Sequence, residues 1–211
     1  MKTVVIFGGS GFVAKHIIRQ LAKNGYKIIA LYQQPTNEAK LKFLGSLGQI
    51  IPIKYKSIDS ELISKIIKDA TNIINLKTSW DEKIESFEMS IFKFNQKLAD
   101  KIIKTNKSCH LIYFSGLGVD KDTLSSRSQA ILKSEEYLQK NINNCSIIRP
   151  GIIIGGEDKF LKGLIPLFKI SPFIPLFGNG LSKFQPVSIE DVTKASEKII
   201  LKNLKGVNVF E

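Results

Sequence analysis

Residues 4–14 constrain this chain more than any other stretch. An apolar run, Val4-Val5-Ile6-Phe7, breaks into Gly8-Gly9-Ser10-Gly11-Phe12-Val13-Ala14, and the pattern then becomes that of an amphipathic helix. A buried strand, a glycine turn and a helix in that order predict the opening unit of a dinucleotide-binding α/β fold. Glycines let the backbone turn sharply and come close to a pyrophosphate. The free N–H groups and positive end of the following helix then meet the phosphate charge. Ala14 stands where the motif's third glycine would be, and helix packing tolerates it. The position of the turn, after a strand and before a helix, is what separates it from a chance glycine triplet. A tight turn that binds nothing is the competing reading.

Strands and helices alternate along the rest of the chain. Strand patterns cover Thr3–Phe7, Lys27–Leu31, Ile50–Lys54, Asn72–Leu76, His110–Ser115 and Ser146–Arg149. Helical patterns fall between them, near Phe12–Lys23, Glu38–Leu47, Ser60–Asp69, Ile84–Thr105 and Ser128–Lys140. Short β-rich runs separated by amphipathic helices predict a doubly wound parallel sheet, a Rossmann fold, with helices on both faces. Right-handed crossovers then put the ligand at the C-terminal edge of the strands. The expectation is one NAD(P)-binding domain over residues 1–211, with a small C-terminal extension, 151–211, forming a substrate-side subregion.

That extension has a different character. Phe160–Phe177 is rich in Phe, Leu, Ile and Pro, and reads as a lid, a packed connector or a contact surface for a protein partner or membrane complex. Pro166, Pro172 and Pro175 predict that it is not one long helix. Ser188 with Asp191 fits a capping box ahead of a helix over Ile189–Leu201. A short strand, Gly206–Phe210, closes the chain.

Composition removes several function classes. No run of about 18 apolar residues is present, so no transmembrane segment is expected, and the apolar stretch after Met1-Lys2-Thr3 is too short for a signal peptide. The two cysteines, Cys109 and Cys145, suggest no disulfide framework and point to a reducing, cytoplasmic setting. The formal charge of +12 invites a nucleic-acid reading, yet only three of the 31 basic residues are arginines, Arg19, Arg127 and Arg149. Bidentate phosphate and base readout favours arginine, so no specific nucleic-acid partner is expected. His16 and His110 lie far apart in sequence and suggest no metal site.

Four segments together resemble the atypical, extended branch of the short-chain dehydrogenase/reductase superfamily, and within it the group of the nucleotide-binding accessory subunit of respiratory complex I. They are Gly8–Ala14, Leu111–Gly118, Ile147–Phe160 and Gln185–Val192. By that resemblance, Gly8, Ser10, Gly11, Phe12 and Val13 line a pyrophosphate. Tyr32 and Gln33 end the strand from which the adenosine ribose is read. Leu76, Lys77 and Ser115 flank the adenosine-ribose and nicotinamide side, and Pro150, Gly151, Ile152 and Ile153 run beside the nicotinamide. Lys15 stands where the group carries an arginine that reaches the 2′-phosphate of NADP. With no acid in Tyr32-Gln33-Gln34, this favours NADP(H) over NAD(H). Members of the group continue with a further helical segment, which implies a substrate side that is open or completed by a partner. Location peripheral to a membrane complex is the matching expectation.

The departures matter as much. Reductases of this superfamily use a tyrosine proton donor with a lysine four residues later, on the helix after Ser115. Here the spacing offers Arg127 and Ile131, or Ser128 and Leu132. Tyr137 lies too far along, and Lys133 has no tyrosine before it. No catalytic residue is therefore assigned. Three readings follow: a protein that holds NADP(H) without turnover; an active reductase or epimerase with a substitute acid; or a scaffold module that binds no nucleotide.

Overall fold

In the computed structural model of the chain, residues 2–120, 124–170, 183–202 and 204–211 are described. Seven parallel strands form the main sheet: β1 (Thr3–Phe7), β2 (Lys27–Tyr32), β3 (Ile50–Lys54), β4 (Asn72–Asn75), β5 (His110–Phe114), β6 (Cys145–Ile148) and β9 (Val207–Phe210). Their order is β3-β2-β1-β4-β5-β6-β9. This is the doubly wound arrangement, and the order reverses between β1 and β4. At such a switch point the loops leave the sheet to opposite sides and open a crevice at the strands' C-terminal edge.

Alternation along each strand sends side chains to two cores. Val5, Phe7, Ile73, Leu111, Tyr113 and Ile147 face α3 (Glu61–Lys68), α4 (Phe94–Thr105) and α5 (Ser126–Asn141). Val4, Ile6, Ile28, Ile74, Ile112 and Ile148 face α1 (Phe12–Lys23), α2 (Glu38–Lys42) and α7 (Ile189–Lys202). Both faces are covered, so the strands read as apolar runs rather than as apolar/polar alternation.

Several local expectations change. The helix after β2 stops at Lys42 rather than Leu47, and a turn follows in which Gly48 has φ of +75°. The long helix near Ile84–Thr105 opens with a π-helical segment, Glu88–Lys93, before α4 begins. A two-stranded sheet that the sequence did not suggest joins β7 (Ile153–Ile154) to β8 (Val187–Ser188). Ser188 caps α7 by accepting from the Glu190 N–H at 3.2 Å, one residue short of Asp191. Pro166 does not break its segment, because α6 (Lys159–Ile170) runs through it. An exposed proline removes one N–H, and water can satisfy the carbonyl thereby released, at a cost of about 3 kcal/mol. Pro172, Pro175 and Phe177 lie outside the described residues. Among those described, no helix is long and apolar enough to cross a membrane.

Three buried side chains give the fold chemical signatures. The Cys109 and Cys145 thiols are buried and pushed up to about 12, which makes them inert. His110 is buried, with Nε2 at 2.9 Å from Ser146 Oγ and Nδ1 without a partner among the described residues. Burial lowers its pKa below 6.5. A folded-state pKa below the unfolded one means that stability is present above about pH 6.5 and lost as pH falls through the folded value. The urea midpoint of the wild type is expected to fall between pH 7 and pH 5 by more than that of His110→Gln. Equal shifts in the two proteins would remove His110 from the account.

Candidate functional site

The glycine turn is built to keep side chains out. Gly8 has φ of +75°, and a Cβ there would lie 2.9 Å from the Leu76 carbonyl carbon and 3.0 Å from Lys77 N. A Cβ on Gly9 would lie 2.9 Å from that of Ala30. Gly9 N–H donates to Leu31 O at 2.9 Å and Gly11 N–H to Gly8 O at 3.0 Å. The turn is thereby fastened to the end of β2 and lies close against the Leu76–Lys77 backbone that follows β4, with half-buried Ser10 at its bend.

Beyond the turn, Gly11 is the N-cap of α1, with no side-chain cap and no acidic residue in the first turn. The first intrahelical bond is Lys15 N–H to Gly11 O at 3.1 Å, so the N–H groups of Phe12, Val13 and Ala14 have no acceptor in the helix. An uncapped helix start at the sheet's switch point is an anion-accepting geometry.

The other sequence-derived residues converge on the same edge of the sheet. Leu76 N–H bonds Phe7 O at 3.0 Å, and Lys77 N–H bonds Asn75 Oδ1 at 3.0 Å. Asn75 is fully buried and also donates to Asn95 Oδ1 on α4 at 2.7 Å. The Lys77 amine turns inward. It donates to Ser90 O of the π segment at 2.9 Å and lies 4.4 Å from the Phe94 ring centroid. Burial holds this amine below its usual range. Ser115, after β5, has a buried Oγ with no hydrogen-bond partner among the described residues. Leu117 N–H bonds Pro150 O at 2.9 Å, which ties the loops after β5 and β6 together. Gly151 passes so close to Gln185 that a Cβ would collide with its carbonyl oxygen. Ile152 O accepts from Val187 N–H at 2.9 Å, and Ile153 pairs with Val187 in register.

Not every residue takes the expected environment. Lys15 forms an exposed ion pair with Glu157, 3.1 Å away in the loop after β7. Phe12 packs on that loop too, its Cζ being 3.0 Å from where a Cβ of Gly155 would sit. Gln33 donates to Lys56 O at 3.3 Å, and Tyr32 donates its phenol proton to the Glu38 carboxylate. Glu38, at the start of α2, was not singled out in the sequence. The available signal was an acid directly after Asn37, whose side chain caps α2 by accepting from Lys40 N–H at 3.2 Å.

Arg127 and Ile131, at the positions the spacing offers for the acid–base pair, both make structural contacts. Arg127 Nε donates to Ser79 O at 2.9 Å and Nη2 to Thr78 Oγ1 at 3.1 Å, while the guanidinium stacks on Trp80, 4.1 Å from the ring centroid. Ile131 is buried in a small cluster with Ile91, Val119 and Ala130, between the π segment and α5. Tyr137 points elsewhere and donates to Asp100 Oδ1 at 2.6 Å. Tyr113 is buried, which drives its phenol far above the usual range. Among the described residues no cluster of metal-ligating side chains is present.

Comparison with known proteins agrees with this geometry. The model of the NmrA-like family matches residues 1–149. The mitochondrial NADH dehydrogenase [ubiquinone] 1 alpha subcomplex subunit 9 of Arabidopsis thaliana is 31% identical over 192 residues, 90% of this chain and 48% of that protein. Its Dictyostelium discoideum counterpart is 32% identical over 199 residues, 92% of this chain and 54% of that protein. The chain thus spans about half the length of these relatives. Among solved structures, the Streptomyces venezuelae dTDP-glucose 4,6-dehydratase DesIV, with NAD bound, superposes with a TM-score of 0.80 at 15% identity, covering all of this chain and 75% of that one. The Bordetella bronchiseptica enzyme WbmH, in complex with NAD+, gives 0.76 at 17% identity, covering all of this chain and 76% of that one. At such identities the superpositions show the shared doubly wound fold.

Proposed function

Because this chain belongs to the NmrA-like family and stands close to the complex I accessory-subunit group, we propose that it holds a nicotinamide dinucleotide on the Gly8–Val13 turn without turning over a substrate of its own. The observation that carries the proposal is the uncapped, acid-free start of α1 behind a turn that excludes side chains. The orphaned Ser115 Oγ at the far side of the crevice fits a ligand that supplies its missing partner.

Hydride chemistry belongs to the nicotinamide; the chain's part is to bind, orient and deliver a proton. Delivery is what its residues do not support. Arg127 cannot release a proton at working pH, Ile131 has none to give, and the Tyr113 phenol is sealed in the core. Lys15 favours NADP(H) only when its pair with Glu157 opens, so the proposal covers both nucleotides. Such an exposed pair is screened by water and opens easily.

A peripheral seat on a membrane complex is part of the same proposal. The relatives carry the name of an NADH dehydrogenase subcomplex, and Phe160, Leu161 and Ile165 of α6 are exposed apolar residues suited to a partner. Calorimetric titration with NADH and with NADPH tests the binding claim. One nucleotide per chain, with a rise in unfolding temperature, is expected. Binding of neither would leave the scaffold reading in its place, whereas substrate-dependent NAD(P)H oxidation by the purified chain would restore the enzyme reading.

A further inference from the structure

We infer that the turn between α2 and β3, residues 43–49, docks this chain on an anionic lipid bilayer. The turn leads into the start of β3, at the opposite end of the parallel sheet from the glycine turn, and the inference does not depend on the dinucleotide reading. Two of its side chains stand free in solvent: Phe43 is 86% exposed, and Leu47 fully so. Both are held there by the fold. Leu44 packs against the core cluster that contains Leu41, and buried Gln49 clamps the turn from beneath. Gln49 Nε2 donates to Ala22 O at 2.7 Å and to Tyr26 O at 3.0 Å, while its Oε1 accepts from Ser46 N–H at 2.9 Å. The turn is thereby fixed against the end of α1, with Phe43 and Leu47 directed outward.

The charge around this tip has one sign. Residues 1–56 hold nine basic residues and a single acid, Glu38, whose carboxylate is taken by the Tyr32 phenol. Lys42 directly precedes Phe43 and lines the same recess as Leu47, and Lys40 lies on α2 just before it. Lys23 follows Ala22, and Lys27 follows Tyr26, the two residues that Gln49 holds. None of these four lysines forms an ion pair among the described residues. Glu197 of α7, the acid that reaches this end of α1, is held by Gln20 and Asn24. Apolar side chains projecting among lysines match a bilayer interface: the lysines meet anionic headgroups and the apolar groups enter the acyl boundary. Lysine suits that surface, which offers diffuse charge rather than the planar bidentate partner that arginine reads. A protein donating a strand is a poorer occupant. Gln49 and Tyr55 bond to β2, so by alternation Pro52 turns a main chain without an N–H to the free edge of β3.

The test is co-sedimentation with vesicles of phosphatidylcholine alone and of phosphatidylcholine with about 30% phosphatidylserine. The chain is expected to bind the anionic vesicles, to ignore the neutral ones, and to dissociate as salt is raised. Phe43→Ser with Leu47→Ser is expected to weaken binding at least about tenfold, although every charge is kept. Lys40→Gln with Lys42→Gln is expected to weaken it about as much. Lys104→Gln with Lys107→Gln, at exposed positions by the end of α4 and across the sheet from α2, is expected to change it less than about twofold. All six side chains are exposed, and unchanged unfolding temperatures verify the folds. Binding untouched by the Phe43 and Leu47 changes, or weakened equally by both lysine pairs, reduces the effect to diffuse attraction and overturns the inference. Tighter binding to a DNA duplex than to these vesicles at the same salt assigns the face to nucleic acid and overturns it too. Absence of binding to the anionic vesicles overturns it while leaving the dinucleotide reading standing.

Discussion

Replacing Arg149 by methionine is expected to destabilise the fold by about 3–5 kcal/mol, because it strands a buried carboxylate. Glu135, on α5, has a side chain only 1% exposed, and Arg149 supplies its charge partner at 2.6 Å, with Nε at 3.1 Å and 3.2 Å from the two carboxylate oxygens. The same guanidinium reaches Glu211 at 2.7 Å, and Arg149 N–H bonds Phe210 O at 2.8 Å. One side chain thus ties α5, the end of β6 and the edge strand β9. At this chain length the loss corresponds to a fall in unfolding temperature of roughly 10 °C. Glu211→Gln, which disturbs only the exposed half of the network, is expected to cost no more than about 1 kcal/mol. Removing both charges, as Glu135→Met with Arg149→Met, is expected to recover much of the loss, because no unpaired ion then remains. Urea unfolding of the four proteins decides the matter. A single Arg149→Met variant within 1 kcal/mol of the wild type, on the scale of an ordinary surface substitution, would show that Glu135 is relieved by some other route.

Gly8→Ala is expected to abolish dinucleotide binding, with at least about a hundredfold loss of affinity, close to 3 kcal/mol. Two penalties coincide at this position. The left-handed backbone costs an alanine about 1–2 kcal/mol, and the added Cβ meets main-chain atoms of Leu76 and Lys77 that cannot rotate away. Relief requires the turn and the end of β4 to separate, and that moves the very N–H groups proposed to meet the pyrophosphate. Gly25→Ala is the control. Gly25 has φ of +76° but open space where a Cβ would go, so it is expected to lower stability and leave nucleotide affinity unchanged. Should Gly8→Ala bind either nucleotide as the wild type does, the turn is not where the ligand sits.

How much of the site was legible in the sequence depended on how local its cause was. The glycine turn and its helix are set by neighbours within a dozen residues, and their expected boundaries, Thr3–Phe7 and Phe12–Lys23, match the observed ones. The residues at the positions where the resemblance expects a tyrosine–lysine pair could be named from identity alone. The contacts that their side chains make could not. Arg127 stacks on Trp80, 47 positions earlier in the chain, and Ile131 fills a cluster against a π segment that reads as ordinary helix in the periodicity. A π turn arises when packing and side-chain bonds offer its carbonyls other donors, as Lys77 does for Ser90 and Asn95 for Ile91.

The sequence by itself determined the doubly wound class and the place of the glycine turn. Both follow from short-range pattern: apolar runs of strand length, helical periodicity, and glycine where no side chain fits. Only the tertiary structure decided which charges meet. It engaged Lys15 with Glu157 from a distant loop, carried Glu38 to the buried phenol of Tyr32, and closed Arg149 onto Glu135. The physical reason is that backbone preference is written residue by residue, whereas an ion pair or hydrogen bond needs two groups within about 3 Å. Chain folding alone brings such groups together from separate elements.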